Sequence, residues 1–205
     1  MYERYIKRLL DIVISLAAII VLSPLLVIIA IVIKLGSPGP VIFRQKRYGR
    51  NKTFFEICKF RTMRTDAPKD VPTNDLRGAK NYITPVGRVL RVTSLDELPQ
   101  LWNILKGDMS LIGPRPALWN QYDLMELRDK YGASMIRPGL SGWAQVNGRD
   151  YLSQDLEKKA RRDGEYASNV SFAFDLKCFL LTIVKVFNRQ GIKEGADENK
   201  TEAGQ

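Results

Sequence analysis

Between Asp11 and Lys34 lie 22 residues without a charged side chain. At about 1.5 Å per residue, a helix of that length crosses a bilayer. A spanning anchor, a core helix and a re-entrant hairpin all start from such a run. It is too long for a secretory h-region, and no small-residue cleavage site follows it. A core helix carries a polar stripe, which this run lacks. Ser23-Pro24 falls near its centre, where proline removes a backbone hydrogen bond and bends a helix. Arg4, Lys7 and Arg8 precede the run, and Lys34, Arg44, Lys46, Arg47, Arg50 and Lys52 follow it. Cations on both flanks hold both ends on the cytosolic side, which a single straight span cannot satisfy. On residues alone, a bent span and a hairpin turning at Ser23-Pro24 both stay open.

The chain of 205 residues has room for one domain and a short appendage. Its net charge of +10 is local, since residues 1–65 hold 12 Lys/Arg against 3 Asp/Glu. Anionic lipid, nucleic acid and nucleotide phosphates are all candidate partners for that third of the chain. There is no histidine, which excludes Ser-His-Asp and Cys-His catalysis and any histidine-bearing zinc site. Cys58 and Cys178 lie far apart in apolar runs, without metal-ligand spacing or a disulfide framework, as in a reducing compartment. Acid, base and nucleophile roles fall to Asp, Glu, Lys, Tyr, Ser or Thr.

Beyond the apolar run the pattern is mixed. Gly36-Ser-Pro-Gly-Pro40 is a helix breaker. Val41–Gln45 and Phe54–Phe60 read as strands joined in a hairpin, and Arg64–Thr84 as a loop. Leu98–Leu105, Tyr122–Tyr131 and Asp155–Ala167 read as helices. In Phe172–Phe187, a fourth helix, Phe172, Leu176, Phe179, Leu180, Ile183, Val184 and Phe187 share one half of the wheel. Asp175, Lys177, Thr182 and Lys185 take the other half. That face suits either a core or a membrane interface. The residues after 187 read as a polar tail. The expected fold class is α+β, with a membrane segment over 1–36, a catalytic domain over 37–187 and a tail over 188–205.

Asp96 and Glu97 are adjacent carboxylates in Ser94-Leu-Asp-Glu-Leu-Pro-Gln-Leu-Trp-Asn103. Ser-x-x-Glu before an apolar run is a capping box, so a structural role competes with a chemical one. Pro99 weakens the capping role, because proline belongs at the very start of a helix and would leave both carboxylates outside it. Arg115 stands between two prolines in Gly113-Pro-Arg-Pro116, a stiff turn that suits a guanidinium aimed at phosphate. Lys59 and Arg61 in Lys59-Phe-Arg-Thr-Met63, together with Arg91 and Arg137, are further cations that could surround the pair.

These stretches, with Ile104-Leu-Lys-Gly-Asp-Met-Ser110 and Arg137-Pro-Gly-Leu-Ser-Gly-Trp-Ala-Gln-Val-Asn-Gly-Arg149, resemble the bacterial sugar transferase family. The likeness runs from about Tyr2 to Gly195, and the chain looks like the minimal catalytic unit of the small monotopic phosphoglycosyl transferases. The resemblance implies a re-entrant helix-break-helix with its bend at Ser23 and Pro24, and interfacial amphipathic helices. It also implies a cytosolic catalytic dyad of Asp96 and Glu97 working with Mg²⁺, which these two carboxylates would hold. Asp96 would attack the β-phosphate of a UDP-sugar, release UMP and carry a phosphosugar to undecaprenyl phosphate. Lys59, Arg91 and Arg115 are candidates for the phosphates, Arg137 and Arg149 for the nucleotide side.

Expected partners are a UDP-sugar, undecaprenyl phosphate and membrane lipid, with a homodimer left open and no nucleic acid. The expected location is the cytoplasmic (inner) membrane, with the catalytic domain facing the cytoplasm. The rival readings are a non-enzymatic basic protein anchored on anionic lipid or nucleic acid, and a UDP-sugar phosphohydrolase. The donor sugar is not legible in the motifs.

Overall fold

The computed structural model describes residues 1–71, 76, 78–148 and 155–187. Arg149, residues 150–154 and the expected tail, 188–205, lie outside the described residues. A π-helical turn, Tyr2–Ile6, leads into α1, Lys7–Gly36. Helical hydrogen bonding carries on across Ser23-Pro24. Pro24 has no N–H for the Ile20 carbonyl four residues back, and the Ser23 hydroxyl donates to that carbonyl instead, at 2.8 Å. The helix stops at the breaker cluster, where the Arg61 guanidinium donates to the Ser37 and Pro38 carbonyls. Arg61 therefore holds the exit of α1 rather than joining a phosphate site.

The hairpin expected from the sequence forms. Strand β1, Ile42–Tyr48, pairs antiparallel with β2, Phe54–Phe60, from Ile42 opposite Phe60 to Tyr48 opposite Phe54. β1 runs three residues further than its apolar part, because Lys46, Arg47 and Tyr48 stay in register, and the reversal tightens at Asn51 and Lys52, both at positive φ. The stretch read as a loop contains α2, Ala79–Tyr82, and a bridge between Met63 and Ile83. Helix α3, Pro85–Val92, has Pro85 in its first turn and Thr84 as its cap, the hydroxyl accepting from Gly87 N. Then come α4, Gln100–Lys106, and β3, Ser110–Ile112, followed by α5, Tyr122–Lys130. Strand β4, Gly139–Ser141, lies parallel to β3, ahead of the short α6, Trp143–Val146. The chain closes with α7, Leu156–Ser168, and α8, Phe172–Phe187.

Helix α1 lies along the domain for its whole length. Its first turns are latched by polar contacts. Lys7 pairs with Asp175 at 2.6 Å, Arg8 donates to the Ile104 and Leu105 carbonyls at the end of α4, and Asp11 accepts from Ser110 and Leu111 N. Its last turns are held by packing, with Ile29 and Ile33 against Phe60 and Leu90. The opposite face exposes Leu16, Ile20, Val21, Val27, Ile28 and Val32. By length and composition, this is a helix that could cross or enter a membrane.

Helix α8 is inverted relative to a core helix. Asp175 and Cys178 turn inward and are buried, with Phe174 and Leu181 packed beside them, while Phe172 and Leu180, at 55% and 53%, stay exposed together with Leu176, Phe179, Ile183 and Val184. The core alternative for that face falls away.

Candidate active site

Strand β2 delivers Lys59, and α4 fixes the strand. The Asn103 side chain accepts from Cys58 N at 2.9 Å and donates to the Glu56 carbonyl at 2.8 Å, replacing the neighbouring strand that β2 lacks on this edge. From there Lys59 Nζ reaches Glu97 Oε1 at 2.9 Å. Arg115 Nη2 reaches the same oxygen at 2.8 Å. The three residues come from a strand, a 3₁₀ turn and a proline-flanked turn, so the tertiary fold assembles them.

The dyad does not cap a helix. Asp96 and Glu97 sit in the 3₁₀ turn Leu95–Glu97, and Pro99 precedes α4. Ser94, the expected cap, is in the left-handed region at φ 57° and makes no capping hydrogen bond. The Ser-x-x-Glu spacing is present, but Glu97 is turned to the cations, and the capping box is not formed.

The two carboxylates have different surroundings. Among the described residues Lys59 and Arg115 hold Glu97, whereas none donates a hydrogen bond to the half-buried Asp96 carboxylate. Burial pushes the Asp96 carboxyl above its usual range; Lys59 opposes the rise, the Glu97 charge adds to it, and Arg91 and Arg115 oppose it. Burial also lowers the Lys59 ammonium, with Glu97 partly restoring it. Arg91, at the end of α3, is thus close enough to act on Asp96 by its charge.

Three cations around Arg115 were not evident from motifs. Arg47 donates to the Pro116 carbonyl at 3.0 Å and to Gln45 Oε1, and burial, followed by the Arg115 charge, lowers it to about 9. Arg128 is buried against Asp163. Lys159, one turn before Asp163 on α7, is lowered to about 8, chiefly by burial and then by Arg128. The available signals were weak: Gln45 and Arg47 alternate on one strand face, and Lys159 and Asp163 are spaced i, i+4. Neither pattern stands out on a strongly basic chain.

The glycine motif serves the same turn through its backbone. Gly139 N donates to the Pro114 carbonyl at 2.9 Å and Gly113 N to the Ser141 carbonyl at 2.8 Å. A Cβ on Gly139 would stand 2.1 Å from Gly113 N, and one on Gly142 2.0 Å from Gly113 O, so the two chains touch only because side chains are absent. Arg137 itself points elsewhere. Its Nε donates to the Gly107 carbonyl at 3.1 Å, and it lines a small polar cavity with Glu3, Lys7, Asp11, Ser110 and Tyr166. Lys59, Arg91 and Arg115 therefore converge on the dyad and Arg137 does not, while Arg149 lies outside the described residues.

The chain is similar to several curated proteins. Over 190 residues it is 42% identical to the UDP-glucose:undecaprenyl-phosphate glucose-1-phosphate transferase of Escherichia coli strain K12, covering 90% of this chain and 41% of that protein. It is 39% identical over 197 residues to the UDP-N-acetylgalactosamine-undecaprenyl-phosphate N-acetylgalactosaminephosphotransferase of Aeromonas hydrophila, 92% of this chain and 45% of that one. It is 38% identical over 191 residues to the uncharacterized sugar transferase EpsL of Bacillus subtilis strain 168, 92% of this chain and 91% of that one. The chain thus spans less than half the length of the first two and nearly all of the third. The model of the bacterial sugar transferase family matches residues 2–189, nearly the whole described chain, and the protein belongs to that family.

Proposed function

We propose that this protein transfers a sugar 1-phosphate from a UDP-sugar to undecaprenyl phosphate at a membrane surface, through a covalent intermediate on Asp96. The observation that carries the proposal is the asymmetry of the dyad. Glu97 is neutralised by Lys59 and Arg115, while the neighbouring Asp96 carboxylate is left without hydrogen-bond donors among the described residues. A carboxylate is a weak nucleophile, and it is least weak where nothing donates to its lone pairs.

In the first step an Asp96 oxygen attacks the β-phosphorus, and the bond from that phosphorus to the bridging oxygen breaks. The bridging oxygen leaves with UMP, and Asp96 carries the phosphosugar as an acyl phosphate. In the second step a phosphate oxygen of undecaprenyl phosphate attacks the same phosphorus. The acyl phosphate bond breaks, the Asp96 carboxylate is restored, and the product is undecaprenyl diphosphate sugar. Lys59 and Arg115 stabilise charge gathering on the phosphoryl oxygens, and removal of one such donor typically costs about 10²–10³ in rate. Glu97 holds both cations beside Asp96.

The donor set fits Mg²⁺, a hard cation served by carboxylate oxygens. Among the described residues no group of three or more acidic or sulfur ligands is arranged to hold a metal alone. Asp96 and Glu97 would hold it together with substrate phosphates, the usual manner for this ion. When bound, it neutralises phosphate charge.

We assign the membrane side to α1 and α8, in the cytoplasmic membrane with the catalytic domain on the cytoplasmic face. We read the course of α1 as re-entrant with its bend at Ser23-Pro24, because the cations that flank both ends of its apolar run belong on one side of a membrane. The exposed apolar face of α8 supports an interfacial helix beside it.

The test is UMP release from UDP-glucose, UDP-N-acetylgalactosamine and related donors, in nanodiscs with Mg²⁺, with and without undecaprenyl phosphate. Lipid-dependent release from one donor, abolished by Asp96→Asn, is the expected result. Release indifferent to the lipid would favour the hydrolase, and no release from a folded protein would overturn the assignment.

A further inference from the structure

The turn bearing Arg115 is held by its carbonyls. With prolines at 114 and 116 it has few N–H groups to offer, and four successive carbonyls are each taken by a different donor. Pro114 O accepts from Gly139 N at 2.9 Å, and Ala117 O from Tyr48 N at 2.9 Å. Pro116 O accepts from Arg47 Nη1 at 3.0 Å, and Arg115 O from Arg128 Nη2 at 2.9 Å. The last of these sits on the functional residue itself. Its donor is also the most deeply buried cation of the site, with Nε and Nη2 on Asp163 Oδ2 at 2.9 and 2.6 Å and side chains 4% and 2% exposed.

We propose that Arg128, oriented by Asp163, is a positioning residue that fixes the Arg115 backbone so that its guanidinium meets Glu97 and the donor phosphate; this rests on the transferase reading above. Pro116 already restricts Arg115 to extended backbone, leaving rotation of the Arg115 peptide group as the main remaining freedom. The bond from Arg128 removes it. The two helices do not need this pair to meet, because Leu124 and Met125 of α5 already pack with Ala160 of α7. A buried ion pair adds little net stability and is commonly replaced by apolar residues without loss. What an apolar pair lacks is an N–H for the Arg115 carbonyl.

The decisive variant is Arg128→Met/Asp163→Leu in the full chain, assayed for thermal unfolding, kcat and KM in the UMP-release assay. The expected result is a melting temperature within a few degrees of wild type and a kcat/KM about 10²-fold lower, the usual cost of misplacing a catalytic group by about 1 Å. Adding Arg115→Ala should then cost little more, because both changes act through one guanidinium. Should the double variant not fold, Arg128→Lys serves. It keeps the charge beside Asp163 but cannot span both acceptors, and the same loss in kcat/KM is expected. A folded variant with wild-type kcat/KM, or a loss that adds fully to that of Arg115→Ala, would overturn the proposal.

Inactivity of the wild type on every donor would sink the transferase assignment alone. Positioning is then read from the Arg115 Nε–H resonance of ¹⁵N-labelled protein, assigned with Arg115→Lys. It should be dispersed in the wild type and move to the free-guanidinium position in the double variant; an unchanged resonance would count against the proposal.

Discussion

Lys7, in the first turn of α1, lies 2.6 Å from Asp175 on α8, both nearly buried, and the same carboxylate accepts from Tyr2 at 2.6 Å and Tyr166 at 2.5 Å. One anion thus joins the start of α1, α7 and α8. Asp175→Leu leaves the Lys7 ammonium buried without its partner, which costs about 3–5 kcal/mol. Lys7→Met/Asp175→Leu removes both charges and should recover most of that loss. Thermal unfolding in detergent measures the difference. Equal destabilisation by the single and the double variant would mean that packing, not the uncompensated charge, is what the site requires.

Lys59 is the cation shared between structure and chemistry, because β2 delivers it to Glu97 while its charge also bears on Asp96. Lys59→Met should lower kcat/KM by about 10²–10³ with the fold retained, as for loss of one donor to a developing charge. Lys59→Arg keeps the charge but replaces a point donor with a broad fork in a confined place, so only part of the activity should return. UMP release by the two variants separates these effects; equal activity in Lys59→Met and wild type would remove Lys59 from the site.

Much of this was legible in the chain, and the exceptions have physical reasons. The hairpin, α5, α7 and α8 follow from period and punctuation, and α8 matches the bounds read from its apolar period. That period could not say which way the helix faces, because a membrane interface and a core reward the same apolar half. Only the burial of Asp175 and Cys178 decides it. Strands β3 and β4 escaped because three residues carry no period, and their pairing rests on glycines that let two backbones touch. Within the candidate site, the motifs singled out Asp96, Glu97, Lys59 and Arg115, which the fold brings together. Arg47, Arg128 and Lys159 were not, since each gains its place from tertiary neighbours rather than from spacing.

Lys159 should give stability an unusual pH dependence. Burial, with Arg128 next, lowers its ammonium from 10.5 to about 8 in the folded protein. Between those values the unfolded chain holds the proton and the folded chain does not, so stability rises with pH across that window; at pH 7 the penalty is present in full. Lys159→Met should therefore raise the melting temperature at pH 7 and remove the rise between pH 8 and 10, read as the difference between variant and wild type. A difference curve that stays flat with pH would show that the ammonium is already compensated.

The inverted face of α8 yields the clearest separation of membrane contact from chemistry. Phe179 and Leu180 are half exposed at 47% and 53%, in the exposed apolar half of α8. Burying one such side chain in lipid is worth about 1.5–3 kcal/mol, so two account for a large share of an interfacial helix's affinity. Phe179→Asp/Leu180→Asp removes that gain and adds two charges on the side that would face acyl chains. Because neither side chain is in the core, the melting temperature in detergent should change little. Flotation with vesicles of anionic and zwitterionic lipid should fall at least tenfold for a fragment lacking residues 1–36, provided circular dichroism finds that fragment folded. In the full chain, which keeps α1, turnover on undecaprenyl phosphate should drop through a higher KM for the lipid, with that for the nucleotide donor unchanged. An equal rise in both KM values would instead mean that the substitutions disturb the site through Trp143 and Tyr166, which pack on the inner face of the same helix.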